Sequence, residues 1–191
     1  MKERRVAITG LGVVAAGAIG AEALFENLCA ARSGVGPIRR LDASSFSCRV
    51  AGELTDFSAR HFVPKNYRKA VKVMARDIEI AVAAADLAVR DAGIVTAGTG
   101  EGAASIASGR LGCNIGAGLI CADLDELGAA VATSVVDGKF DIRAWGREGM
   151  ANLTPLWLLK YLPNMLACHV TIIHQAKGPS NPITCGEASS L

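Results

Sequence analysis

Residues 177–191 read Lys177-Gly-Pro-Ser-Asn-Pro-Ile-Thr-Cys185-Gly-Glu-Ala-Ser-Ser-Leu191, and this stretch decides how the chain folds around its most interesting side chain. Asn181 to Thr184 follows a Lys-Gly-Pro break and reads as a short strand. Gly186 to Ser190, after the cysteine, suits the start of a helix. A cysteine at such a junction points its sulfur at free backbone N–H groups and the positive end of a helix dipole. Both favour thiolate, which is how a nucleophilic cysteine is activated. On spacing alone, an inert core cysteine after a strand reads the same way, so both readings stand at this point.

Upstream of that junction, strands alternate with helices. Arg5 to Thr9 is expected to be a buried strand ending at Gly10, and Glu22 to Arg32 a helix with Leu24, Phe25, Leu28 and Cys29 on one face. A short strand is expected at Arg49 to Leu54. One long helix is expected from Pro64 to Ala92, because Val71, Met74, Ile78, Val82, Ala85 and Val89 recur at three- and four-residue steps before Gly93. Leu111 to Ile115 reads as a strand leading into Gly116-Ala117-Gly118. Helices are expected at Leu124 to Val136 and from Pro163 to about Gln175. This alternation indicates an α/β chain.

The composition agrees. Of 191 residues, 51% are hydrophobic and 20% charged, with a net charge of +2 and a mean hydropathy of +0.33. That is enough chain for one domain with a core, excludes disorder, and makes no case for nucleic acid. The 21 glycines and 33 alanines suit close packing of helices on a sheet. None of the six cysteines forms a C-x-x-C pair, so neither a zinc site nor a thioredoxin-like motif is expected. The thiols are expected to be reduced, mostly core residues, in a cytoplasmic setting. Val6 to Ala21 is uncharged and follows a basic N-terminus, the outline of a secretory signal. Glycines interrupt it, and its 16 residues fall short of the ~20 that span a bilayer, so neither export nor a membrane is expected.

Three further motifs bear on function. Gly10-Leu-Gly12-Val-Val-Ala15 fits the G-x-G-x-x-A turn that brings backbone N–H groups to a pyrophosphate. A dinucleotide unit also needs a second strand ending in an acid, and residues 32–42 supply no such strand. The glycines are therefore read as shaping a strand-to-loop corner. His61, His169 and His174 lack zinc-binding spacing and are read as solvated or core residues. Lys65, Arg68, Lys69 and Lys72 recur on one face of the expected long helix with no acid between them. That face is either ordinarily solvated or docks an acidic partner.

Taken together in order, these pieces resemble the elongating β-ketoacyl–acyl carrier protein synthases of the thiolase superfamily. The resemblance rests on Arg4-Arg5-Val-Ala-Ile-Thr-Gly-Leu-Gly12, Ser33-Gly34, Ala51-Gly52 before Asp56-Phe57, and Asp91-Ala-Gly93. It continues through Asn164-Met165 with His169, and Lys177-Gly178-Pro179-Ser180 before Cys185. It implies a thiolase-like layered α/β fold, with residues 1–191 forming an incomplete N-terminal half and the C-terminal half absent. It implies that Cys185 accepts the acyl group before decarboxylative condensation with malonyl carrier protein, in fatty acid or polyketide synthesis, with no cofactor and no metal. The histidines and lysine that the family carries in its second half are not here, so the isolated chain is expected to be inactive. The implied partners are acyl carrier protein and a second copy of the chain or a second synthase chain. Leu119 is expected to line the acyl pocket, and Lys65, Arg68, Lys69 and Lys72 to dock the carrier. Two departures stand out: Glu187 in the first turn after the nucleophile, and Pro182 in a strand that the resemblance pairs across a dimer axis. A non-catalytic partner subunit and a nucleotide-dependent oxidoreductase remain as rival readings.

Overall fold

The computed structural model describes residues 5–100 and 102–190; Met1 to Arg4, which open the basic N-terminus, lie outside it, as do Glu101 and Leu191. Its elements run β1 (Val14–Ala15), β2 (Ala18–Ile19), α1 (Ala21–Cys29), β3 (Val35–Pro37), β4 (Val50–Gly52), α2 (Arg76–Asp91) and β5 (Cys113–Gly116). Then come α3 (Leu124–Thr133), β6 (Val135–Val136), β7 (Lys139–Phe140), α4 (Ile142–Arg147), α5 (Met165–His174) and β8 (Ser180–Ile183). Three strand pairs are antiparallel and local, β1–β2, β3–β4 and β6–β7. The fourth joins β5 to β8 in parallel across the whole α3–α5 excursion, with Cys113 opposite Ser180 and Gly116 opposite Ile183.

The core lies where α2 crosses α5. Ile78, Val82 and Ala83 of α2 are fully or almost fully buried against Leu166, Val170 and Ile173 of α5. Phe57, Val63, Val71, Met74 and Ile120 close the cluster. Helix α2 ends as its sequence suggests. Gly93 has φ 65°, its N–H donates to the Arg90 carbonyl, and that of Ile94 to the Val89 carbonyl (3.1 Å), a Schellman stop.

The strand expected at Arg5 to Thr9 does not form. These residues pair with no strand among those described, and Val6 and Ile8 are 93% and 85% exposed. Their alternation is that of a strand, but a strand needs a neighbour to hydrogen-bond. The chain instead lays its glycines on the backbone of α2. A Cβ on Gly12 would collide with the Ala84 carbonyl, and one on Gly10 with the Ala88 carbonyl. The Leu11 N–H donates to Asp91 Oδ2 at 2.8 Å. The G-x-G spacing thus serves helix contact.

The single helix expected over residues 64–92 is three pieces. Lys65–Tyr67 and Ala70–Val73 are 3₁₀ turns, and α2 begins only at Arg76. Met74 (ψ 137°) and Ala75 (ψ 162°) are extended and break the run, while both side chains stay buried. Arg76 fixes the break: its guanidinium lies 4.7 Å from the Phe57 ring centroid, donates to the Leu54 carbonyl at 2.8 Å and pairs with Glu79 at 3.0 Å. Successive turns of either helix type bring every third or fourth residue to the core, so the hydrophobic period alone does not show the break.

The thiols also differ from expectation. Cys29, Cys48, Cys121 and Cys185 are exposed, and only Cys113 and Cys168 are partly buried. With so much of α1 at the surface, including Phe25 and Leu28, its cysteine goes with it.

Gly12→Ala should destabilise the fold by ~1–3 kcal/mol, since the added methyl must displace helix backbone. Gly128→Ala, in α3 with open space around it, should stabilise it by ~0.5–1 kcal/mol through helix propensity. Urea midpoints check both, and a neutral Gly12→Ala would remove the packing account of the G-x-G turn.

Candidate active site

Cys185 lies two residues beyond β8, at the same end of the parallel pair as the Gly116-Ala117-Gly118 turn that leaves β5. The pairing continues past the strands, with the Ala117 N–H donating to the Ile183 carbonyl at 2.9 Å. Groups alternate along a strand, so if Ile183 faces β5, Pro182 faces away. Proline's missing N–H thus falls on the outer edge, the non-bonding position where it costs no ladder hydrogen bond.

The chain after Cys185 turns tightly. Gly186 has φ 58°, and Ala188–Ser190 form a 3₁₀ turn rather than the expected helix start. Ser189 holds this turn. Its buried hydroxyl accepts the Cys185 N–H at 2.8 Å and donates to the Gly186 carbonyl at 2.6 Å. Its own carbonyl lies where a side chain at Gly116 would go, so only glycine at 116 lets the turn sit on β5. The Cys185 side chain remains exposed to solvent, as does Glu187. Leu119 follows β5 at that same end of the sheet and is 86% exposed, while its neighbour Ile120 enters the core.

The four basic residues are not one helix face. Lys65 lies in the first 3₁₀ turn and Lys72 in the second, with Arg68 and Lys69 between. The turns wrap around a surface concavity of about 640 Å³, lined by Arg68, Lys69 and Lys72 together with Ser58, Arg60 and His61; Lys65 lies outside the lining. Sequence reasoning does not single out Arg60, and it reads His61 only as a solvated or core histidine. They precede the basic run by several residues, and only the reversal at Phe62-Val63-Pro64 brings the two together.

The other histidines are core residues. His169 Nδ1 and the Tyr67 hydroxyl are 3.0 Å apart, which ties the first basic turn to α5. His174 Nδ1 lies 3.2 Å from Thr96 Oγ1. Each Nε2 is buried without a partner among the described residues. Burial pushes both imidazoles below the ordinary histidine range, because a charge there would be desolvated and unpaired.

A family model described as "Beta-ketoacyl synthase, N-terminal domain" matches residues 3–191. Over 192 residues the chain is 31% identical to a Streptomyces violaceoruber protein described as a granaticin polyketide β-ketoacyl synthase 1, covering 98% of this chain and 41% of that one. It is 28% identical over 191 residues to the 3-oxoacyl-[acyl-carrier-protein] synthase 2 of Vibrio harveyi, covering all of this chain and 40% of that one. A solved β-ketoacyl synthase from Burkholderia phymatum superposes with a TM-score of 0.64 at 27% identity, over 93% of this chain and 38% of that one. The chain belongs to the β-ketoacyl synthase family. Its fold is thiolase-like, the incomplete N-terminal half of that architecture, and it spans about two fifths of the length of the curated relatives it matches. Neither rival reading finds support in these matches.

The buried histidines predict an acid-labile fold. Their folded pKa lies below the unfolded value near 6.5, so the unfolded chain binds more protons as pH falls past that value. Stability should be full above about pH 6.5 and decline below it. Urea midpoints measured between pH 8 and 5 check this, and a flat profile would contradict it.

Proposed function

We propose that the parent protein is a 3-oxoacyl-carrier-protein synthase in which Cys185 carries the acyl group. The observation behind this reading is the position of Cys185: a solvent-exposed thiol just past the C-terminal end of β8, which pairs in parallel with β5, on a turn seated against β5 at Gly116. Its sulfur, once deprotonated, attacks the thioester carbonyl of an acyl group on its carrier. The carrier thiolate leaves and takes up a proton. A malonyl carrier then loses CO₂, and the electron pair of the broken carbon–carbon bond forms the new bond to the acyl carbon. Cys185 departs as thiolate, leaving a 3-oxoacyl chain on the second carrier.

The backbone N–H of Cys185 is suited to stabilise the oxyanion of each tetrahedral intermediate. It is donated to Ser189 in the resting arrangement, so that hydroxyl has to release it first. A second donor and the groups that assist decarboxylation would come from the rest of the parent protein. On this reading Leu119 borders the tail of the acyl chain, and the protein works as a pair with a second copy or a second synthase chain. The carrier, an acidic protein, docks on Lys65, Arg68, Lys69 and Lys72, all of them exposed.

In the full-length protein, Cys185→Ala should fold normally and lose acyl transfer to background. Retained transfer would end the assignment. Lys65→Glu with Lys69→Glu should raise KM for carrier-borne substrates by roughly fivefold per reversal at low salt. The effect should fade as salt screens it over ~8 Å, and a small pantetheine thioester should react unchanged. Equal losses with both substrates would contradict docking here.

A further inference from the structure

Most of the other placed basic side chains near acids are answered locally. Arg90 pairs with Asp86 at 2.8 Å, Arg76 with Glu79 at 3.0 Å, Lys160 with Glu126 and Arg40 with Asp123 at 3.8 Å. The concavity at Ser58 is different. Arg60, Arg68, Lys69 and Lys72 converge on it with His61, no acid is in its lining, and none of the four cations forms an ion pair or side-chain hydrogen bond among the described residues. Sequence scatter does not explain this convergence. Three separate turns are needed, and each is anchored from beneath: Ala59 and Val71 are buried, and Tyr67 is tied to His169.

From this we infer that the concavity is a binding site for a small anion bearing two phosphate groups, of the diphosphate or bisphosphate class. The chemistry of the lining selects that ligand. Two guanidinium forks match phosphate oxygens bidentately, while two ammonium groups supply point charge. Ser58 adds a hydroxyl. Four fixed positive charges exceed what one carboxylate answers but suit a ligand carrying two or more negative charges. The volume, about 640 Å³, lies within the ~300–1,000 Å³ of small-molecule sites. Only His61 brings a ring to the lining, and the other side chains are four cations and a hydroxyl, so recognition falls mainly on the phosphates. The inference shares Arg68, Lys69 and Lys72 with the docking reading but rests on Arg60 and His61 as well, and it stands or falls without any role for Cys185.

The test is calorimetric titration of the full-length protein with inorganic pyrophosphate at low and physiological salt. Saturable binding with one site per chain is expected. Arg60→Ala with Lys72→Ala should weaken it at least tenfold. Lys139→Ala with Arg143→Ala, which removes the same charge from exposed positions elsewhere, should leave it within twofold. Circular dichroism of the variants separates lost binding from lost folding. Pyrophosphate should also raise KM for carrier-borne substrate if the carrier docks on the same residues. Binding without that competition retains the site and counts against the docking reading. Absence of saturable binding, or equal weakening by both double variants, would overturn the site and leave docking to be judged by its own charge reversals.

Discussion

The parallel pairing of β5 with β8 is the contact on which the candidate active site depends. It joins residues 67 positions apart (Cys113 opposite Ser180) and aligns the strand before Cys185 with the turn at Gly116. Parallel strands cannot be joined by a tight hairpin, so the chain between them must leave the sheet and return. Here α5 makes the return, packing on the strands from one side and on α2 from the other. The seat of the Cys185 turn is set by main chain against main chain. Gly116 faces the Ser189 carbonyl at a distance that no side chain allows. The same device recurs where Gly10 and Gly12 lie on α2, and where Gly98 meets the Ile173 carbonyl. An interior of glycine and alanine lets backbones approach this closely, and the cost is that few positions tolerate an added methyl group.

Much of the architecture could be read from residues near one another in sequence. The helices at Ala21–Cys29, Leu124–Thr133 and Met165–His174 and the strands at Cys113–Gly116 and Ser180–Ile183 overlap the expected stretches, with ends displaced by up to about three residues. Local signals carry these: a hydrophobic stripe, a Gly stop, a Pro start. What could not be read depends on distant partners. Val6 and Ile8 have strand chemistry, but a strand needs a partner, and none of the described strands pairs with them. The break at Met74–Ala75 is imposed by Arg76 reaching Leu54 and Phe57, contacts across some twenty residues. The basic cluster was legible as charge but not as shape, because Arg60 and His61 join it only through the turn at Pro64.

Electrostatics and burial divide the ionisable groups into two sets with different roles. Inside, His169 and His174 are held neutral, Asp86 has its carboxyl pushed up by burial despite Arg90 beside it, and the Cys113 thiol is likewise raised. The two histidines tie elements together through Tyr67 and Thr96, while Asp86 is answered by Arg90 within its own helix. Outside, the Cys185 thiol and the basic turns are open to large partners. On the proposed reading, that division suits a substrate that arrives attached to another macromolecule. The fold interior does not have to open, and binding charge is kept on turns that rest on buried anchors.

The central claim is that Cys185 is the acyl acceptor. The most direct measurement is peptide mass mapping of the full-length protein after brief incubation with an acyl carrier thioester and no malonyl substrate. The acyl mass should appear on the peptide containing Cys185, and hydroxylamine should remove it, as expected of a thioester. An acyl group found instead on the exposed Cys121, Cys48 or Cys29, or on no cysteine at all, would contradict the account.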